Sequence, residues 1–250
     1  MTAHRNHIVF LALALLLPAV SMPMYAQRLF HADVSSKTVS KGKMQAADKE
    51  IYYTKGGNLT IRWNRGLATY YTLSTPFGFT DIYYPASKES MTLDPQMFKM
   101  QDELLYVFAE GGAEDMGLGR EDFVLKSSKK DGSFTVRRYE PRKGGGMCAW
   151  VELVSGADFL PVYVAYYNKK GKIITKTYLS GYTSVKGFAF PMRVTEISYL
   201  GEKKDSTVRL DLYRNLEVDV PNELFGFHIP SDAVPIDLKE GLKAAGKKAK

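Results

Sequence analysis

The stretch STVRLDLY, Ser206 to Tyr213, sets Val208, Leu210 and Leu212 on one side of an extended chain and Thr207, Arg209 and Asp211 on the other. A period of two is the signature of a strand with one apolar and one wet face. Farther upstream, Leu59, Ile61 and Trp63 alternate with Thr60, Arg62 and Asn64 in the same way. Between and around these runs, turn signals recur at strand-length intervals. KKDG (Lys129 to Gly132) separates DFVLKSS from SFTVRRY, and NKKG (Asn168 to Gly171) separates VYVAYY from KIITKTYL. In each, the glycine supplies the positive φ of a tight hairpin. Gly187, the Gly201 to Asp205 cluster and Asn215 punctuate the later runs AFPMRVTEISYL, STVRLDLY and LEVDV. The predicted class is therefore mainly β, a curved antiparallel sheet with one apolar concave face. In the closing stretch NELFGFHIP, Asn222 to Pro230, the same alternation assigns Phe225, Phe227 and Ile229 to the concave side of a last strand.

One segment has a different period. Asp94 can cap a helix, Pro95 fits its first position, and Gly111-Gly112 supplies a stop. Met97, Met100, Leu104, Val107 and Phe108 recur between them at three- and four-residue spacing, with Lys99, Asp102, Glu103 and Glu110 mostly on the opposite side. An amphipathic helix here would lie against the sheet's apolar face, enclosing either a packed core or a cavity. Four methionines, Met91, Met97, Met100 and Met116, cluster in and around it. Soft thioethers suit an irregular core, and equally a surface that accepts greasy ligands of variable shape.

The chain begins with His4, Arg5 and His7, the apolar run Ile8 to Val20, and Ser21-Met-Pro-Met-Tyr-Ala26, which together resemble a cleavable secretory signal. The run is shorter than the roughly 20 residues a membrane span needs, and Pro18 interrupts it. Residues 1–26 are read as the signal peptide, 27–234 as a single domain, and 235–250 as a solvated basic tail with five lysines against Asp237 and Glu240. Cys148 is the single cysteine, so neither an internal disulfide nor a lipid-anchoring cysteine after Ala26 is available. The formal charge of +7 does not indicate nucleic acid, since basic and aromatic residues do not interleave in a recognition motif.

Catalytic signatures are sparse. After Ala26 the histidines are His31 and His228, and no GxSxG, HExxH or GxxxxGK[ST] occurs. No carboxylate spacing suggests a zinc site beside either histidine, and no metal or cofactor is expected. His228 alternates with the phenylalanines and reads as an exposed or satisfied histidine; Cys148, beside Trp150, reads as a packing residue. Catalysis is not expected, and an exported hydrolase would need a convergent polar set in the concave site.

Several of these features together resemble the LolA-type periplasmic carriers, the outer-membrane lipoprotein-sorting proteins. They are the signal peptide, Arg62-Trp63 closing a strand, YYP at Tyr83 to Pro85, the central amphipathic segment, Phe190-Pro191, VRLDLYRNLEVD at Val208 to Asp219, and LFGFHIP at Leu224 to Pro230. The resemblance implies an incomplete β-barrel with a helical lid, whose apolar cavity holds lipoprotein acyl chains in transit through the periplasm after an inner-membrane release transporter hands them over. It departs from the family's pattern at Lys55-Gly56-Gly57, where many members have an arginine-proline pair, so the family's functional arginine has no counterpart here. The expected lining is Leu59, Ile61, Trp63, Met97, Met100, Leu104, Phe108, Phe225 and Phe227, in a monomer. The same fold could carry another envelope lipid, a glycolipid or a pigment; a structural envelope protein with a filled core is the remaining reading.

Overall fold

The computed structural model describes residues 27–65, 68–94, 98–120, 122–143, 146–199 and 206–237. Residues 1–26, expected to be a signal peptide, Met97 and most of the basic tail lie outside the described residues. The first six strands are β1 (Leu29–Ser40), β2 (Lys43–Thr54), β3 (Leu59–Arg65), β4 (Ala68–Ser74), β5 (Thr80–Tyr84) and β6 (Glu89–Leu93). A 3-10 turn, Met100–Asp102, and the helix α1, Leu104–Ala109, follow. The second series is β7 (Phe123–Asp131), β8 (Phe134–Pro141), β9 (Trp150–Ser155), β10 (Pro161–Tyr167), β11 (Ile173–Val185), β12 (Phe188–Tyr199) and β13 (Ser206–Val218), with a short β14 (Val234–Pro235) closing the chain.

β1 to β6 and β7 to β13 are each an antiparallel meander, the pairing of β13 with β1 joins them, and β14 adds in parallel to β6, giving one 14-stranded sheet. Its order runs β14-β6-β5-β4-β3-β2-β1-β13-β12-β11-β10-β9-β8-β7, so the sheet curves without closing and leaves β7 and β14 as its edges. This is the curved antiparallel sheet expected from the alternation, left open as the resemblance implies. NKKG and Gly187 fall in hairpin turns, KKDG ends β7 with its glycine in the turn, and Gly132, Gly171 and Gly187 all have positive φ. Asn215 does not end a strand. It sits inside β13 with φ 48°, opposite a register shift between His31 and Asp33 of β1, and so absorbs a bulge.

Two of the expected elements are different. The central helix is a 3-10 turn plus two turns of α-helix, because Glu103 between them has an extended backbone (φ −97°, ψ 118°) and carries its side chain inward. The predicted stop is correct: the Gly111 and Gly112 amides donate to the Phe108 and Val107 carbonyls, a Schellman ending. NELFGFHIP is no strand. Asn222 accepts from the Leu224 amide and starts a 3-10 turn, Glu223–Gly226, after which the chain crosses the sheet's outer face.

The concave face is filled at one end. Phe30, Tyr53, Leu59, Ile61, Phe190 and Val218 are buried there under Leu105 and Phe108 of α1. Gly112 locks α1 onto this packing, since a Cβ at that position would lie 2.8 Å from the Val107 carbonyl oxygen and 2.9 Å from its Cγ1. Backbone cannot yield as a side-chain end can, so Gly112→Ala is expected to cost about 1–3 kcal/mol in urea unfolding. A neutral substitution would show that α1 is free to shift.

Candidate functional site

The other end of the same face is open. A cavity of about 1030 Å³ lies over the far halves of β1, β2, β12 and β13, at the upper end of small-molecule site volumes. Its walls and floor differ in character because different strands supply them. Trp63 of β3 and Tyr70 of β4 form one wall, stacked at 5.8 Å, with the Trp63 indole donating to Thr72 Oγ1 at 3.0 Å. Val164, Tyr166 and Ile174 of β10 and β11 form the opposite wall, while Leu104, Val107 and Met116 descend from the lid. Cys148 also lines the cavity; burial raises its thiol above the ordinary value, and its Sγ donates to the Trp150 carbonyl at 3.4 Å.

The floor is polar. Alternation carries Ser36, Lys49, Glu196, Arg209 and Asp211 onto the concave face of the central strands, where β1 pairs with β13 and β13 with β12. Lys49 bonds Glu103, which is only 4% exposed, and the Lys49 ammonium stands 5.1 Å over the Trp63 ring. Arg209 bridges Glu196 at 3.4 Å and Asp211 at 3.2 Å, and Ser36 Oγ donates to Asp211 at 2.5 Å. Burial, with the neighbouring Glu103 and Asp211 carboxylates, pushes the Tyr213 phenol well above its ordinary value. Each of these charged groups is thus neutralised by a neighbour. The set can hold polar groups in place, but it presents no imidazole: His31 lies on the outer face and His228 is exposed beside the Gly226 carbonyl.

Of the residues expected to line the site, Trp63 and Leu104 do. Leu59, Ile61, Met100 and Phe108 are buried in the filled end instead. Phe225 and Phe227 lie on the opposite side of the sheet: Phe225 packs edge-on to Tyr52 at 5.4 Å and Phe227 stacks on Tyr71 at 4.5 Å. The concave assignment of these two is therefore corrected; a turn, not a pleat, sets their direction. The charged floor had a sequence signal in the alternation of Arg209 and Asp211. That pattern separates two faces without saying which is concave, and here the wet one is.

No protein-family model matches the chain, and no curated protein does. Solved structures do. A LolA superfamily protein from Nitrosomonas europaea is similar at a TM-score of 0.54 and 12% identity, over 80% of this chain and 91% of that one. An outer membrane lipoprotein-sorting protein domain from Vibrio parahaemolyticus aligns at 0.52 and 11%, over 78% and 87%. A protein of the DUF1329 family from Desulfovibrio piger aligns at 0.55 and 15%, over 82% and 91%. The chain has the LolA-like fold. Among the described residues, no helix is long and apolar enough to cross a membrane.

Proposed function

We propose that this LolA-like fold is an exported, periplasmic carrier that shelters the acyl chains of a lipoprotein during transfer towards the outer membrane. The observation that supports it is the half-open concave face: one end is packed solid, and the other keeps a cavity of about 1030 Å³ between aromatic and aliphatic walls, under Leu104, Val107 and Met116 of the lid. An acyl chain of roughly fifteen methylenes at about 0.8 kcal/mol each gains on the order of 10 kcal/mol from such shelter. A carrier must also release its cargo, so wide and weakly specific walls suit it better than a tight pocket. An inner-membrane release transporter would load it, as the resemblance implies. The charged floor favours a second reading with the same site, a lipid whose polar head lies over Ser36, Lys49 and Arg209 while its chain follows the walls.

Mass spectrometry of the mature protein after mild extraction tests both. Acylated protein is expected with the first reading and a free polar lipid with the second; a cleaved acyl ester would move the reading to a hydrolase. If neither lipid nor acylated protein associates under any condition, the carrier reading fails. Leu104→Asp places a charge in the lid at the first position of α1, where a carboxylate suits the helix. It is expected to reduce bound acyl species at least about tenfold, since a charge facing hydrocarbon is costly, with the fold retained.

A further inference from the structure

On the outer face, away from the cavity, β1 and β2 bring together three groups of one chemistry. His31 and Asp33 stand on one side of β1, and Glu50 of β2 is directly opposite Asp33. The histidine nitrogen and one carboxylate oxygen from each acid lie within 4.8 Å of one another. Like charges facing each other across a strand pair repel, and the Arg62 guanidinium bonded to Glu50 offsets only part of this.

The hydrogen bonds around the cluster orient each group. Glu217 Oε2 lies 3.3 Å from His31 Nδ1 and can hold the proton there, leaving the Nε2 lone pair pointed inward. Nε2 is sealed from solvent, has no hydrogen-bond partner, and is 3.3 Å from Asp33 Oδ1, an oxygen that can only accept. The other Asp33 oxygen accepts from Asn215 at 2.6 Å. Glu50 accepts from the Tyr52 hydroxyl at 2.8 Å and from Arg62, and each oxygen keeps a further lone pair. The His31 ring is fixed by stacking on Tyr52 at 4.4 Å, and Tyr52 is covered by Phe225. A histidine whose far nitrogen is held by a carboxylate, facing two further carboxylates that are themselves hydrogen-bonded, is the arrangement of a metal ligand with its supporting partners.

We propose that His31 Nε2, Asp33 and Glu50 bind a divalent transition-metal ion, with water completing the coordination. One nitrogen and two oxygens suit zinc or manganese. Three carboxylates, Asp33, Glu50 and Glu217, outnumber two guanidiniums, Arg62 and the Arg214 that stands opposite Asp33 on β13, so the locality stays anionic around the cation. The ion would join β1 to β2 beside the Asn215 bulge and beneath the C-terminal cover. No spacing in the sequence announces this, because the third ligand arrives from the neighbouring strand.

Calorimetric titration of untagged, chelator-treated mature protein with ZnCl₂ or MnCl₂ alone tests it. One saturable site per chain is expected, weakened at least about 100-fold by Asp33→Asn or Glu50→Gln and about tenfold by Glu217→Gln, which removes only the supporting carboxylate. Asp81→Asn, outside the cluster, is expected to leave the affinity unchanged. Should the ligand variants fail to fold, Glu217→Gln decides, because that side chain is 47% exposed and holds no packing together. The proposal is overturned by an absence of saturable binding, by equal affinity in the folded variants, or by imidazole NMR in which both His31 nitrogens stay protonated and unmoved by zinc. That last result would mean an imidazolium ion pair instead.

Discussion

Lys49→Met is expected to destabilise the protein by about 3–5 kcal/mol, because it leaves the buried Glu103 carboxylate without its cationic partner. Glu103 is 4% exposed and the Lys49 side chain 11%, so water compensates only poorly for the lost ammonium. The substitution also removes the cation from above the Trp63 ring. Methionine retains most of the lysine stem, which confines the effect to charge. Lys49→Met combined with Glu103→Gln should recover much of the loss, since breaking a buried pair is costly whereas removing both charges often is not. Urea midpoints at constant slope measure this. A single-variant cost under about 1 kcal/mol would place the pair among solvated surface bridges, and the lid segment would then be more open than its burial indicates.

Stability should also fall steeply at alkaline pH. Burial raises both Tyr53 and Tyr213; Tyr53 donates to Glu110 at 2.8 Å, and Tyr213 lies near Glu103. The direction follows from proton counts. Above about pH 10 an unfolded tyrosine ionises while these two stay protonated, so the unfolded state binds fewer protons and stability declines as pH rises. These two groups contribute a slope of roughly 3 kcal/mol per pH unit, maintained until the native phenols themselves ionise, and Tyr52 and Tyr182, likewise raised by burial, steepen it further. Tyr163, raised to about 12 by burial, should add to this less steeply because it is only partly buried. Denaturant midpoints followed through this range test the slope, and Tyr213→Phe should flatten it by about 1.4 kcal/mol per unit. An unchanged slope in that variant would mean that Tyr213 ionises as freely folded as unfolded.

Local signals carried the strands well. KKDG, NKKG and Gly187 mark real hairpins because a positive φ is a property of one residue and its turn. The middle helix was overextended because three- and four-residue spacing continues through Met100 and Leu104, whereas the extended Glu103 between them answers to a partner, Lys49, fifty-four positions earlier. The same limit governs the faces. On β3 the apolar side is the inner one, but on β13 the inner side carries Arg209, Asp211 and Tyr213, and Val208, Leu210 and Leu212 face outward. Alternation cannot distinguish these cases, since curvature is decided by the whole sheet. In the candidate site, Trp63 and Leu104 were legible as apolar residues, while the charged floor required the pairing of β1, β12 and β13 to become visible.

Among the described residues, a sheet of fourteen strands that does not close has two margins without a further strand, and each is a template for adding another chain. Here both are guarded against self-association. The outermost strand on one side, β7, carries Lys126, Lys129 and Lys130, whose like charges would repel a second copy laid alongside. On the other, β14 is two residues long and ends in Pro235, which has no amide hydrogen to offer. An open sheet can therefore keep the opening its cavity needs without polymerising, and neutralising the β7 lysines would turn that margin into a seed for fibre growth.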